Sequence, residues 1–209
     1  MNLHTALKLE PNDTVAIIGS GGKTTALWRL AEERREAGEP VLVTTSTRMR
    51  QPDEHTCDRF DSLESGDFSC APGKVVCAGY PCGDGMCTGL PPARFADALS
   101  AGLHPLYTAG GETGRPVLYP GTDKILLIAG LRALGRPLAA GGRVCTADSL
   151  LEMIWESVRA SGVPADRLRI LLNQADTPNR FEQAAPLEQA LRQEGYFALT
   201  GCLRSPFWP

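Results

Sequence analysis

The sequence predicts an α/β protein: a three-layer, doubly wound domain around a largely parallel sheet. Short apolar runs rich in β-branched residues alternate with longer amphipathic segments, which indicates strands separated by helices. The runs are apolar at nearly every position, as expected of strands that helices cover on both faces. The length of 209 residues suits one such unit, and we expect residues 1–209 to form a single domain.

The N-terminal part of the chain contains the clearest succession of strand, helix and strand. The first strand is predicted at Thr14–Ile18, which ends where the glycine-rich segment Gly19–Gly22 begins. A helical pattern follows, and Gly38 and Pro40 mark its end. Val41–Thr45 is apolar and β-branched, so it is predicted to be the second buried strand.

The rest of the chain continues the alternation around two irregular segments. The polar segment Gln51–Ala71 is expected to be a surface excursion, and the Gly- and Pro-rich segment Tyr80–Pro92 is expected to be a loop. The other elements follow from the same two periodicities. Strands are predicted at Lys74–Gly79, Pro105–Ala109, Lys124–Ala129, Arg169–Asn173 and Phe197–Cys202, and helices at Pro92–Ala101, Ala147–Ala160 and Arg180–Gln193.

Composition and patterning argue against several classes of protein. The longest apolar run, Ile125–Leu131, has seven residues, whereas a membrane-spanning helix needs about 20. The first residues lack a basic region followed by an apolar stretch, so we expect no secretory signal and a cytoplasmic location. The net charge of −3 does not favour nucleic acid as a partner.

The seven cysteines favour reduced thiols, because their number is odd, no pair has CxxC spacing, and a cytosol is reducing. The alternative is a metal site formed by His55, Cys57, Cys82 and Cys87. Its spacing is irregular, with one residue between the first pair and four between the second, whereas structural zinc sites use regular close pairs.

The strongest functional signal is the segment GSGGKTT, which lies between the first predicted strand and its helix. Glycines let the backbone direct several N–H groups at one anion, and a helix N-terminus adds the positive end of its dipole. Lys23 would contact the β- and γ-phosphates and Thr24 would bind Mg²⁺, which makes them the candidate catalytic residues. The residues expected to bind the nucleotide here are Gly19, Ser20, Gly21, Gly22, Lys23, Thr24 and Thr25.

This loop is shorter than the usual GxxxxGK[ST] pattern, which would require a glycine at the position of Ile17. It is similar to the short loops of Mur-type peptide ligases and some metabolic NTPases. The order of strand, loop and helix predicts a fold of the P-loop NTPase type that binds ATP or GTP with Mg²⁺. The alternative is a glycine-rich turn that binds nothing.

Beyond the loop, an ordered series of segments resembles the YqeC-type family, the accessory proteins of selenium-dependent hydroxylases. The segments that carry the resemblance are Val43–Met49, Gly85–Pro91, Leu106–Leu118, Ala129–Leu138 and Asn173–Asp176. The resemblance implies a P-loop NTPase-like protein in the maturation of selenium-dependent molybdenum hydroxylases. Its implied partners are a nucleoside triphosphate and such a hydroxylase or its maturation machinery.

The sequence departs from the family pattern where the chemistry would be most sensitive. Gly110 stands where the family has the Walker B aspartate, a carboxylate that holds Mg²⁺ beside the phosphates, and Thr108 replaces the preceding glutamate. Loss of this carboxylate leaves open whether the protein hydrolyses a nucleotide. The candidate side chains to replace it are Glu112, Asp53 and, through water, Thr45 or Thr47.

The segment Asn173–Asp176 resembles the base-reading motif N-K-A-D. The resemblance implies that Asn173 frames the base and that Asp176 accepts hydrogen bonds from guanine, although Gln174 replaces the lysine and Arg132 replaces a nearby aspartate. The alternative is that Asn173 and Asp176 only turn or cap the chain after a strand.

Three functions remain open from the sequence. The first is a slow Mg²⁺-dependent NTPase that acts as an accessory factor in molybdenum-enzyme maturation. The second is a non-catalytic nucleotide- or anion-binding module that acts through a protein partner, which the glycine at position 110 favours. The third and weaker one is a small-molecule kinase or ATP-dependent ligase, by analogy with the Mur-type loop.

Overall fold

A computed structural model describes the chain over residues 2–53, 55–61, 68–110, 115–138 and 143–204. Its centre is an eight-stranded sheet in which every pair of neighbouring strands is parallel. The strands of this sheet are β1 (Val15–Ser20), β2 (Val41–Thr45), β4 (Arg59–Asp61), β5 (Val75–Ala78), β8 (Leu106–Thr108), β9 (Lys124–Gly130), β10 (Leu168–Asn173) and β11 (Phe197–Thr200). Their spatial order is β11-β10-β9-β1-β8-β2-β5-β4.

Helices cover both faces of the sheet, which confirms the predicted three-layer α/β architecture. The helices are α1 (Leu3–Ala6), α2 (Lys23–Glu36), α3 (Pro92–Ser100), α4 (Ala147–Ser161) and α5 (Pro178–Gln193). On one face, Leu27 of α2 belongs to the same apolar cluster as Val15 and Ile17 of β1. On the other face, Ile154 of α4 packs with Ile18. Adjacent residues of β1 therefore point into different cores, as the pleat of a strand requires.

Local capping explains where the helices begin and end. The α4 helix starts at Thr146, whose hydroxyl accepts from the backbone N–H of Ser149 in a capping box, and it ends at Gly162 in the left-handed region with φ of +66°. The α5 helix starts at Thr177, with Pro178 at its first turn. The α2 helix differs, because its N-cap residue is Gly22, which has no side chain to cap the first turn.

The predicted strands and helices are confirmed to within about two residues at their ends, but two irregular segments hold more structure than predicted. The segment Tyr80–Pro92, predicted as a loop, contains β6 (Tyr80–Pro81) and β7 (Met86–Thr88), which pair with β3 (Arg48–Arg50) in a separate antiparallel sheet. Gly83 and Gly85 form the hairpin turn between β6 and β7, where Met86 N–H donates to the Gly83 carbonyl. The polar segment Gln51–Ala71 likewise contributes β4 at the sheet edge.

The small sheet is anchored at the end of β2 by a close backbone approach. A Cβ atom on Gly89 would lie 1.4 Å from the carbonyl oxygen of Thr45, so only glycine fits. The Tyr119 hydroxyl donates to that same carbonyl at 3.1 Å and also bonds to the Leu90 carbonyl. This contact places the β3-β7-β6 sheet beside the carboxyl end of the main sheet.

Substitution Gly89→Ala should lower the free energy of unfolding by about 3 kcal/mol, because the added carbon overlaps backbone atoms that cannot move independently. Urea denaturation followed by circular dichroism measures the change. The matched control is Gly110→Ala, since both glycines have ordinary φ values and a Cβ on Gly110 would lie 3.3 Å from the nearest atom, a mobile lysine carbon. Equal stability of the two variants would refute this account of the anchor.

Candidate functional site

The candidate site lies at the carboxyl edge of the main sheet, where the chain connections diverge. β1 lies between β8 and β9. The connection after β1 leads through α2 to β2 on the side of β8, whereas the connection after β9 leads to β10 on the opposite side. Such a divergence opens a crevice at the strand ends, which is where α/β sheets bind ligands.

The loop after β1 has the backbone shape of an anion-binding loop. Gly19, Gly21 and Gly22 have φ values of +87°, +85° and +144°, which side-chain-bearing residues rarely adopt. A Cβ atom on Gly21 would lie 2.6 Å from the Cα atom of Gly130 at the end of β9. The glycines are therefore required both by the turn itself and by the close contact between the loop and the neighbouring strand.

The loop leads directly into the N-terminus of α2. Within the described part of the chain, no side chain caps this helix, so its first backbone N–H groups are available to an anion. Thr24 lies exposed in the first turn of α2, and Ser20 is exposed at the end of β1. The roles of the loop residues as phosphate contacts stay a prediction.

Lys23 is the positive charge of the site. Its Nζ donates a hydrogen bond of 2.7 Å to the Gly19 carbonyl, which folds the side chain back over the loop. Partial burial lowers the pKa of Lys23, because burial disfavours the charged ammonium. Among the residues that the structure describes, Lys23 forms no ion pair, so a bound anion would supply its missing counter-charge.

Gly110 lies next to this lysine. It stands at the position where the family pattern has the Walker B aspartate. A Cβ atom on Gly110 would lie 3.3 Å from Cε and 3.6 Å from Nζ of Lys23. A carboxylate built from this position would thus reach the lysine as well as the space beside the loop. Gly110 itself, having no side chain, brings no negative charge to that place.

The structure uses several of the proposed substitutes for the carboxylate in other contacts. The Thr45 hydroxyl donates to the Thr108 carbonyl and accepts from the Thr108 hydroxyl and the Thr47 backbone N–H. Asp53 accepts from the Thr56 hydroxyl, and this bond holds the pKa of Asp53 below its usual value. Glu112 lies outside the described residues.

A cleft of about 950 Å³ extends from the loop to the ends of β10 and β11. The loop residues Gly21–Thr25 form one end, and the segments Asn173–Pro178 and Cys202–Arg204 form its other walls. The structure therefore brings the predicted phosphate-binding residues and the predicted base-reading residues into one cleft, although they are far apart in the sequence.

Asn173 ties two walls of this cleft together. Its buried side chain donates from Nδ2 to the Gly21 carbonyl at 2.7 Å, and its Oδ1 accepts from the Leu203 backbone N–H at 3.0 Å. The sequence suggested contact with a base, but the structure shows that both ends of the amide hold the protein backbone. Asn173 thus sets the position of the loop.

Asp176 lines the same cleft and is bound by two arginines. Its Oδ2 accepts from Arg132 at 2.5 Å, and its Oδ1 accepts from Arg180. These bonds, first to Arg132 and then to Arg180, hold the pKa of Asp176 below its usual value. Arg132 therefore pairs with Asp176, a contact that the sequence did not indicate.

Three further residues form the cleft, of which the sequence analysis had noted only Gln174, as the replacement of a lysine. Gln174 adopts φ of +71°, in the left-handed region. Its Oε1 packs against Gly130, where an added Cβ atom would lie only 2.8 Å from it. Phe181 and Leu203 also line the cleft, yet neither stands in a recognisable motif. The one signal that could have indicated Phe181 is its place in the sequence, five residues after Asp176 and in the first turn of α5.

The alternative metal site receives no support from the described residues, in which no three His, Cys, Asp or Glu side chains form a metal-binding group. All seven cysteines are free, in agreement with the expectation of reduced thiols. No helix in the described part of the chain has the length and apolar character to cross a membrane.

Fold and loop together define the class: an α/β three-layer protein with a P-loop-like architecture. A model of the family described as YqeC protein matches residues 15–141, more than half of the chain, so the chain belongs to that family. A similar relative is the "Uncharacterized protein YqeC" of Escherichia coli (strain K12), 44% identical over 41 residues. That match spans 20% of this chain and only 16% of the relative.

Substitution Asn173→Ala should lower the free energy of unfolding by about 2 kcal/mol, because it leaves the Gly21 carbonyl and the Leu203 N–H without their partner. Urea denaturation measures this loss. Asn179→Ala is the matched control, since Asn179 is exposed in the first turn of α5. A loss no larger than in the control would mean that Asn173 does not hold the two walls together.

Proposed function

We propose that this protein binds a nucleoside triphosphate, with Mg²⁺, through the loop Gly19–Thr25. The observation that carries the proposal is the loop itself: three glycines in the left-handed region lead into an uncapped helix, with Lys23 folded over them. Backbone N–H groups, a helix dipole and one ammonium directed at one point form a site for a polyphosphate. The adjoining cleft of about 950 Å³ has room for a nucleoside.

The chain's residues fit Mg²⁺ that arrives with the nucleotide better than a resident ion. Thr24 is the side-chain oxygen ligand that this end of the cleft offers, and among the described residues no carboxylate stands beside it. Mg²⁺ in nucleotide sites keeps several waters and binds mainly the phosphate oxygens, so a single hydroxyl suffices to position the complex. When bound, the ion neutralises charge on the phosphates.

The biological role that we propose follows from family membership. The chain belongs to the YqeC family, and we propose that it serves as an accessory protein in the maturation of selenium-dependent molybdenum hydroxylases, in contact with such an enzyme or its maturation machinery. We also propose a cytoplasmic location, which the seven free thiols support.

Substitution Lys23→Ala should weaken the binding of Mg-ATP and Mg-GTP about a hundredfold or more, because it removes the cation that faces the phosphates. Isothermal titration calorimetry measures both affinities. Lys74→Ala is the control, since Lys74 forms an exposed pair with Asp58. Undiminished affinity in Lys23→Ala would show that the loop is not the nucleotide site.

A second candidate function is a nucleotide-binding module that does not hydrolyse its ligand and acts through a protein partner. The observation that favours it is Gly110, which lies beside Lys23 and has no carboxylate to offer. Removal of such a group from a phosphoryl-transfer site slows turnover by orders of magnitude. Binding would then control conformation or partner contact.

Substitution Gly110→Asp should raise phosphate release from Mg-ATP at least about tenfold, because it restores a carboxylate beside the phosphates and Lys23. A single-turnover phosphate assay on wild type, Gly110→Asp and Gly110→Ala measures this, and the alanine variant controls for the added carbon. The module hypothesis fails if the wild type already turns over at an ordinary rate, on the order of 1 per second.

A further inference from the structure

The cleft carries an aromatic side chain that no core uses. Phe181 is 41% exposed and belongs to none of the apolar clusters among the described residues. Exposed apolar side chains are ordinary when scattered singly over a surface. Phe181 instead lines the same cleft as Lys23 and Thr24, at the start of α5, so its position calls for a ligand-based explanation.

The polar groups beside Phe181 are already paired with one another. Asp176 has one oxygen on Arg132 and the other on Arg180. Reading of guanine by a carboxylate requires both oxygens to accept, one from the ring N–H and one from the exocyclic amine. Both oxygens are engaged by guanidinium groups, so a guanine edge would have to compete with two charged donors for the same carboxylate.

We propose that Phe181 is the residue on which the base of the bound nucleotide stacks. Because Arg132 and Arg180 hold Asp176, this part of the cleft has no preference for guanine over adenine. The proposal rests on the nucleotide-binding function proposed above and deepens it by naming how the base is held. Stacking on an aromatic face tolerates every base, because every base has a π-face. The cleft therefore takes nucleoside triphosphates without selecting ATP over GTP.

The test compares three ligands that share the phosphate chain but differ in the base: Mg-ATP, Mg-GTP and Mg-tripolyphosphate. Calorimetric titration of the wild type should give affinities for ATP and GTP within about threefold of each other, both tighter than for tripolyphosphate. Phe181→Ala should weaken ATP and GTP binding roughly tenfold and leave tripolyphosphate binding unchanged. Phe181→Trp should retain the wild-type affinities.

Two further variants sharpen the comparison. Met153→Ala is the matched control, because Met153 is also an exposed apolar helix residue, 43% exposed, but lines a different groove. The double substitution Arg132→Ala with Arg180→Ala frees Asp176 and should shift the preference toward GTP by roughly tenfold. Circular dichroism confirms that each variant is folded.

The outcomes separate this proposal from the one on which it rests. Unchanged ATP affinity in Phe181→Ala, with tripolyphosphate still bound, overturns the stacking role and leaves the phosphate loop intact. A wild-type preference for GTP above about tenfold overturns the indifference to guanine. If the wild type binds neither tripolyphosphate nor nucleotide, the proposed function fails and the stacking role fails with it.

Discussion

The close contact between the phosphate loop and the end of β9 is the constraint on which the rest of the site depends. Gly21 and Gly130 approach so closely that a Cβ on either would lie within about 3 Å of the other's backbone. Asn173 at the end of β10 closes the arrangement by bonding to the Gly21 carbonyl. Three adjacent parallel strands thus hold the loop in one shape, and that shape directs the start of α2 into the cleft.

This rigid frame leaves an electrostatic imbalance at the loop. Lys23 is partly buried and has no counter-charge among the described residues, and Gly110 provides none beside it. The free energy cost of holding the ammonium there is present in the unliganded protein and is relieved by a bound anion. The loop end of the cleft therefore has the charge that the proposed polyanion ligand requires, and among the described residues Gly110 brings no carboxylate to it.

Around Asp176 the cleft supplies its own counter-charges, since this carboxylate forms ion pairs with two arginines. Arg132 comes from the segment after β9 and Arg180 from the first turn of α5. The pairing closes the polar side of this part of the cleft and leaves Phe181 as its apolar face. The two parts of the cleft therefore differ in chemistry: one carries the charge of Lys23, unpaired among the described residues, and the other carries an ion-pair group and the exposed ring of Phe181.

Most of the architecture was determined by the sequence. The apolar periodicity predicted each strand of the main sheet except the edge strand β4. The glycines between Gly19 and Lys23 predicted the loop, because its positive φ values favour glycine. The three-layer order followed from runs that are apolar on both faces. The hairpin of β6 and β7 was missed because its strands have only two and three residues, and their pairing with β3 is a contact between distant segments.

The roles of individual site residues were decided by the tertiary structure. Asn173 and Asp176 stand in a motif that suggests base recognition, yet Asn173 binds the Gly21 and Leu203 backbones and Asp176 binds Arg132. Each of these contacts joins residues at least 30 positions apart. A sequence determines which groups a chain carries, but the hydrogen-bond partners of those groups depend on which strand ends the sheet brings together.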